Sequence, residues 1–473
     1  MTGTVIGITS ETKGISSEQF DELKRFSGKN AGICYMNTSY FDSAVTDPNK
    51  ADKRFRGTVK SGHHSISDHA KVEVLFEGIS KMLAMTLNSL QDYATSEKSG
   101  RYSKMTGDTD KERELYNKWF GIFEKRALEI EPYINDAELT RKIVKKLGAK
   151  GAGIRVCDGQ LQIKDIDSRS ENELAMIEEL LNTAKKSGTL TSKKIAQENA
   201  RMVLSIFSHS TTMGYSTSLR QWNYIYDWCE KVIGFYDRLQ KANCEVGNFF
   251  DMLVVDIKWL RDFIGETLYV ENMRSTEDRC IDFLGLYSGY KDGNAMHPAR
   301  YFTDKDEILD YNYSTAYDCS LVILGQLERH RTIKYQIISD VEDDLNKNRF
   351  YIPKMIRGTE YEKEWLSDLE SIKDIVPQAT EVRVLESGLL PNFVAKAQER
   401  LCGRTQLEAM EHTKDLAEKF INECEHGNMS EMGKQYVYEF MNYNKECLTK
   451  CEMRGKCLEG CRYGAENALH RSL

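Results

Sequence analysis

Three short stretches of the chain gather side chains that handle anions, sugars and protons. Gly62–His69 (GHHSISDH) packs three imidazoles, the Asp68 carboxylate and the hydroxyls of Ser65 and Ser67 into eight positions behind a glycine. Ser96–Tyr102 (SEKSGRY) brings Glu97, Ser99, Arg101 and Tyr102 together, a set suited to a sugar and its phosphate. In Gln326–Arg331 (QLERHR), Arg329 and Arg331 flank His330. A bound anion would offset the self-repulsion of that cationic knot, because a guanidinium pairs with phosphate in a bidentate fork. Taken singly, each motif also has a plain structural reading: a solvated basic patch, a surface turn, or a helix start with Asp68 in its first turn.

The elements that would position these motifs are read from apolar patterning. Lys71–Gln91 and Asp318–Arg331 each bring an apolar run up to a polar cluster, and both are expected to be helices. From about Glu131 to Lys194 the chain turns rich in charge and reads as an insertion. Within it GIRVCDGQLQIKDI suggests a small hairpin and ENELAMIEELLNTAKK an amphipathic helix. The insertion's GAKGAG lacks the Lys-Ser/Thr of a phosphate loop and is expected to be a turn-rich connection. Near the end, Cys447, Cys451, Cys457 and Cys461 are spaced as C-x3-C-x5-C-x3-C, with Cys424 and His426 nearby. The spacing is wider than that of common zinc sites and leaves metal binding open.

Composition bounds the class. The chain has 473 residues, 40% apolar and 29% charged, with only 6 prolines, which favours long regular elements over linkers. A formal net charge of −8 weighs against a broad polyanion-binding surface, so nucleic acid is not an expected partner. No run of apolar residues is long enough to span a membrane. The opening MTGTVIGITSE lacks a basic region followed by an apolar core, so a cytoplasmic protein with reduced thiols is expected.

Together the motifs resemble those of flavin-dependent thymidylate synthases (ThyX), which carry GHxSxxEH and, further on, RHRxxSxNExSxRY. Gly62–His69 resembles the first element, with Asp68 in place of the usual Glu. The second is divided. Glu97, Ser99, Arg101 and Tyr102 match ExSxRY, while Ser89, Leu90 and Gln91 stand where RHR would begin it. Arg329, His330 and Arg331 match RHR, and of the following ExSxRY positions (Ile337, Ser339, Val341, Glu342) only the serine remains. Ser99 and Ser339 thus set one lag between the halves. Arg201 in ENARMVL resembles the family's Arg-x-Val-Leu-Pro, and KDIVP (Lys373–Pro377) follows it at a shorter lag. The shortening corresponds to the charged insertion. Ser218-Leu219-Arg220 resembles the flavin-side Asn-Leu-Arg, whose second-half positions have become Leu389 and Pro391. Arg400, Gln406 and Glu408 resemble the uracil-side segment, with Arg404 where the family has His and Cys229 in the first-half place of Arg400.

The resemblance implies an α+β fold in which a ThyX-like domain, a twisted and mainly antiparallel sheet wrapped by long helices, is present twice. The copies are expected at 1–265, with about 131–194 the insertion, and at 266–473 with the cysteine-rich tail. It further implies methylation of dUMP to dTMP with FAD, methylenetetrahydrofolate and NADPH at a site formed by both copies, in a homodimer of fused chains. Gln326, Arg329, Glu97, Ser99, Arg101, Tyr102 and Arg201 would hold the nucleotide. Arg400 would face the uracil and, with Arg329, serve catalysis. His63, Ser65, Asp68, His330, Arg331, Ser218, Arg220 and Arg404 would line the flavin. Two alternatives stay open: a nucleotide- or flavin-binding homologue without turnover, and a flavin enzyme acting on another pyrimidine nucleotide.

Overall fold

The computed structural model describes residues 13–33, 46–89, 93–101, 103, 105–188, 190–243, 246–273, 295–298, 311–338, 349–426, 431, 434–435, 438, 447–456, 461 and 463–473. Tyr102, Leu90, Gln91, Ser339, Val341, Glu342 and Cys457 lie outside them. The chain divides into two compact units, residues 1–98 with 209–284 and residues 99–208 with 285–473. These units cut across the sequence halves, since contacts and chain order group the elements differently.

The first unit opens with two helices packed on each other, α1 (Ser17–Asn30) and α2 (Pro48–Lys60). Beyond them, both expected motif-bearing helices are corrected. Lys71–Gln91 holds a strand, β1 (Lys71–Ile79), and only then a helix, α3 (Lys81–Asn88). The cause is local. Val72, Val74 and Phe76 alternate with more exposed Glu73, Leu75 and Glu77, a period of two that belongs to a strand. Gly78, at φ +64°, breaks the run. Ser80 then caps α3 by accepting the Leu83 amide at 2.9 Å. Asp318–Arg331, in the second unit, repeats the pattern. Asp318–Ser320 end strand β7 (Tyr311–Ser320), Ser320 caps α10 (Leu321–Leu327), and Glu328–Arg331 lie beyond the helix.

The sheet of the first unit is antiparallel, in the order β1-β5-β2, with β5 (Thr211–Ser218) central and β2 (Ala94–Glu97) on its other side. Ser218 ends β5 and caps α8 (Leu219–Lys241), which packs on α9 (Asn248–Thr267). Phe76 from β1 meets Trp222 of α8 at 6.3 Å, and Tyr93 stacks on Tyr215 at 5.2 Å, so aromatic burial fastens helix to sheet.

In the second unit the sheet order is β6-β7-β9-β8, with β6 (Ala295–Pro298), β8 (Lys334–Ile337) and β9 (Glu381–Leu389). Its last three strands repeat the arrangement of the first sheet. One constant shift for each strand pair carries Ala94↔Ser216 onto Lys334↔Ser387, and the same shifts carry Ile79↔Thr211 onto Cys319↔Val382. Toward Lys71 the registers differ by one residue, because β1 has an irregularity between Glu77 and Ile79. Against this sheet lie α12 (Leu390–Arg400) and α13 (Leu407–His426), joined by Phe393 and Phe420 at 4.5 Å.

A second repetition lies wholly inside this unit. Arg201–Val203 and Lys373–Ile375 are both short 3-10 turns, and the chain after each bridges the other at Ser205↔Pro377. The Ile206 amide donates to the Val376 carbonyl at 3.0 Å and the Gln378 amide to the Leu204 carbonyl at 2.8 Å. The step that takes Arg201 to Lys373 turns one of these bonds into the other, the reciprocal pattern of a two-fold contact.

The charged insertion folds as expected into a hairpin, β3 (Ile154–Cys157) with β4 (Gln160–Ile163), and a helix, α6 (Glu171–Lys186), joined by α5 (Asp136–Leu147) around its own small core of Leu139, Ile143, Ile154 and Ile177. GAKGAG forms a short 3-10 turn. α4 (Asp110–Ile130) and α7 (Thr191–Ala200) lead into and out of it and pack on each other. Trp119 of α4 meets Trp365 of α11 (Tyr361–Glu370) edge to face at 4.7 Å. The protein is therefore a mixed helix-and-sheet fold with small antiparallel sheets. Among the described residues no helix is long and apolar enough to cross a membrane. Cys447, Cys451 and Cys461 are free thiols, and no group of described residues could hold a metal ion.

Candidate functional site

Arginines from widely separated parts of the sequence meet in the second unit. Arg101 follows β2 in a loop. Its Nε donates to Glu198 of α7 at 2.7 Å and its Nη2 to the Arg404 carbonyl at 2.6 Å. Arg201, at the end of α7, is 5% exposed and sends Nη2 to Gln406 Oε1 at 2.9 Å. The same oxygen accepts from Gln326 Nε2 of α10. Arg400 ends α12, and its Nη2 donates to the Gln326 carbonyl at 2.8 Å. Gly100 admits Arg201 closely: a Cβ there would come within 2.8 Å of Arg201 Nη1. Two glutamines and one carbonyl thus hold the three guanidinium groups beside one another.

Charge is concentrated at the site. Burial lowers the pKa of Arg400, and the like charges of Arg101 and Arg329 lower it further. Burial also drives His330 down to about 3, with Arg400 and Lys396 opposing its protonation, so its imidazole is neutral at pH 7. Arg400 Nε, Gln406 Nε2 and His330 Nε2 are buried without a hydrogen-bond partner in the protein. Buried polar atoms left in this way are costly, and at a functional site they point to a ligand. Two of the three are obligate donors, so the ligand they fit is rich in acceptors.

A buried polar network supports Arg400. Lys396, one turn earlier on α12, pairs with Glu386 of β9 at 2.6 Å, with the side chains 1% and 0% exposed. Tyr313 and Tyr317 donate to the same carboxylate at 2.7 and 2.6 Å. The pair fixes α12 on the sheet and hence the root of Arg400. Sequence reading missed Lys396 and Glu386, since nothing in their local context marks them, and missed Glu198, three residues before Arg201.

The first unit holds a separate polar cluster. Asp68 accepts from Ser218 Oγ at 3.0 Å and from Arg220 Nη1 at 3.0 Å, and Arg220 Nε reaches Tyr224 Oη at 2.7 Å. Three of the residues expected at the flavin therefore touch one another. His63 and Ser65, beside Asp68, are exposed. Glu97 is engaged by Lys81 and Asn88. In the second unit, Arg331 is exposed and Arg329 half-buried, and both follow α10 in the turn that carries His330. Ser99 Oγ accepts from the Arg101 amide at 3.3 Å. Cys229 is fully buried with its thiol pKa pushed up by burial, as befits a core residue rather than a nucleophile.

Residues 24–228 match the family model Thy1, thymidylate synthase complementing protein. That segment is similar to the family. The Thy1 segment includes Asp68, Glu97, Ser99, Arg101, Arg201, Ser218 and Arg220 and ends before Gln326, Arg329 and Arg400. It supports a function of the thymidylate synthase type, for which dUMP is the implied substrate. No curated protein and no solved structure matches the chain.

Proposed function

We propose that the protein methylates dUMP to dTMP in a flavin-dependent reaction, at a site built by residues from both halves of a duplicated chain. The observation that carries this reading is the convergence of Arg101, Arg201 and Arg400 on Gln326, Gln406 and the Arg404 carbonyl. Arg101 and Arg201 come from the Thy1 segment and the others from beyond it. The duplication rests on the repeated strand order and register of the two sheets and on the reciprocal bridge at Ser205 and Pro377.

In this reading Ser99, Arg101, Arg201, Gln326 and Arg329 bind the phosphate and sugar, with Tyr102 from the same motif as Arg101. Arg400 faces the uracil, where its unpartnered Nε donates to a ring carbonyl and stabilises negative charge developing there. His330, held neutral, offers one donor and one acceptor rather than another cation. Asp68, Ser218 and Arg220, with His63 and Ser65 of the same unit, would hold FAD. The donor set fits a cofactor rich in phosphate and carbonyl oxygens. Reduced flavin would supply a hydride, methylenetetrahydrofolate the carbon and NADPH the electrons. The chain's own work is to orient the nucleotide and to place positive charge against it before reaction. The expected assembly is a homodimer.

The test is dTMP formation from dUMP, methylenetetrahydrofolate, FAD and NADPH, with dUMP affinity measured in parallel. Wild type should turn over. Arg101→Ala and Arg329→Ala should each weaken dUMP binding by about tenfold to a hundredfold, the loss of a charge-assisted contact worth about 1.5–3 kcal/mol. If one of the two is silent, the shared-phosphate geometry is wrong. Tight dUMP binding without turnover would favour a homologue that binds the nucleotide and no longer catalyses.

A further inference from the structure

A cavity of about 610 Å³ opens within the second unit beside Arg101 and Gln406. Its volume falls in the range of small-molecule sites. It adjoins the arginine cluster and shares part of it. The described residues that line it include Arg101 and Gln406 but not Arg400, Gln326 or Arg329. A nucleotide with its uracil at Arg400 and its phosphate at Arg101 and Arg201 therefore points its phosphate end at the cavity. The other walls come from α5, α7, the turn at Tyr351–Met355 and the segment Gly403–Glu408. Any group added beyond the first phosphate would enter that space.

The cavity has room for such a group, yet its charge is already balanced. Arg101 donates to Glu198 at 2.7 Å. Arg141 and Lys194 both pair with Glu138, at 3.3 and 3.2 Å. Lys354 pairs with Glu411 at 2.9 Å. Arg471 donates to the Gly403 carbonyl at 2.8 Å and to the Thr405 carbonyl, and Arg404 is likewise not free. A third carboxylate in the wall, Glu408, is held at the cap of α10 by the Ser320 amide and hydroxyl. The side chains of Glu138 and Glu198 are only 8% and 15% exposed, so solvent ions screen them poorly. At the cluster the contacts are of another kind. Arg201 is held by the neutral amide of Gln406 and Arg400 by the Gln326 carbonyl, and neither contact cancels a positive charge. The first phosphate thus meets guanidinium groups, whereas a second would meet carboxylates that it must displace.

We propose that Glu138 and Glu198 are specificity-determining residues that restrict the arginine cluster to nucleoside monophosphates. They reject a diphosphate or triphosphate by charge and not by size. Like charges brought together in a partly buried site are strongly unfavourable, and a wrong partner is excluded by such repulsion as effectively as by a clash. Glu198 sets the boundary at Arg101 itself. Glu138 lies on α5 and holds the cations across the cavity, so the charged insertion supplies part of the discrimination. The inference rests on the reading of the cluster as the dUMP site.

The test uses the full chain and isothermal titration with dUMP, dUDP and dUTP in magnesium-free buffer. Glu138→Gln keeps the side-chain volume, removes one negative charge and releases Arg141 and Lys194, and its partners lie outside the cluster. Wild type should bind dUMP at least about tenfold more tightly than dUDP or dUTP. Glu138→Gln should raise dUTP affinity about tenfold and leave dUMP affinity within about twofold. Glu198→Gln should also narrow the ratio of dUMP to dUTP affinity. Wild type binding dUTP as tightly as dUMP overturns the inference. A ratio that neither variant narrows overturns it too, since rejection would then be by shape. Both of those outcomes leave dUMP binding in place. Absence of dUMP binding by wild type is the distinct result that overturns the thymidylate synthase reading, and this inference with it.

Discussion

Replacing His330 with asparagine tests whether the cationic cluster holds a neutral imidazole. Burial is the largest cause of the low pKa, followed by the charges of Arg400 and Lys396, and together they move it from an ordinary value near 6.5 to about 3. The folded value lies below the unfolded one, so the unfolded chain takes up a proton first as pH falls. The stability associated with neutral His330 is therefore present in full above about pH 6.5 and is lost as pH falls from there toward 3. Within that window the slope is about 1.4 kcal/mol per pH unit, so about 2 kcal/mol disappears between pH 7 and pH 5. His330→Asn keeps a small polar group and cannot titrate. Chemical denaturation of both proteins across this range should show that loss in wild type and not in the variant. A constant difference across the series would mean that His330 titrates alike in folded and unfolded chains. The unpartnered Nε2 and the repulsion from Arg400 would then be misplaced.

Two further substitutions probe the supports of the cluster. Lys396→Met leaves the Glu386 carboxylate buried with only tyrosine donors, and should cost about 3–5 kcal/mol in denaturant unfolding. Adding Glu386→Leu should recover most of that loss, and a double variant as unstable as the single one would refute the ion-pair account. Gly100→Ala would place a methyl 2.5 Å from Met105 Sδ and 2.8 Å from Arg201 Nη1. It should push Arg201 off Gln406 and weaken dUMP binding by about tenfold. Unchanged affinity would detach Arg201 from the nucleotide.

The chemistry was more legible in the sequence than the elements that carry it. Resemblance to the ThyX motifs marked Arg101, Arg201 and Arg400, and these side chains meet in one unit. The hairpin and helix of the insertion were readable because each is set by local patterning, Asp158-Gly159 at the turn and Ser170 with Glu173 at the helix cap. Lys71–Gln91 misled because a half-buried strand and a short buried helix follow one another there without a loop, and their apolar residues merge into one run. Only Gly78 and Ser80 mark the join. The Lys396–Glu386 pair was invisible for a different reason. A lysine and a glutamate this close in sequence are ordinary on a surface, and only the pairing of β8 and β9 and the seat of α12 put both in the core.

The asymmetry between equivalent positions decides how many nucleotides one chain should bind. The bridge at Ser205 and Pro377 brings equivalent turns together reciprocally, yet what surrounds them differs. Arg201 is buried against Gln406, whereas its counterpart Lys373 is exposed and paired with Glu370 at 2.6 Å. Arg400 has Cys229 as its counterpart, a buried thiol that cannot balance an anion. A nucleotide placed at the second set of positions would therefore lose two of the guanidinium contacts available at the first, one to phosphate and sugar and one to the uracil. Each is worth about 1.5–3 kcal/mol, so the affinities should differ by at least about a hundredfold. Titration of the full chain should accordingly give one dUMP bound per chain at concentrations that saturate the arginine cluster. Two equivalent nucleotides per chain would show that both sets of positions still work, and the division of labour between the halves would be wrong.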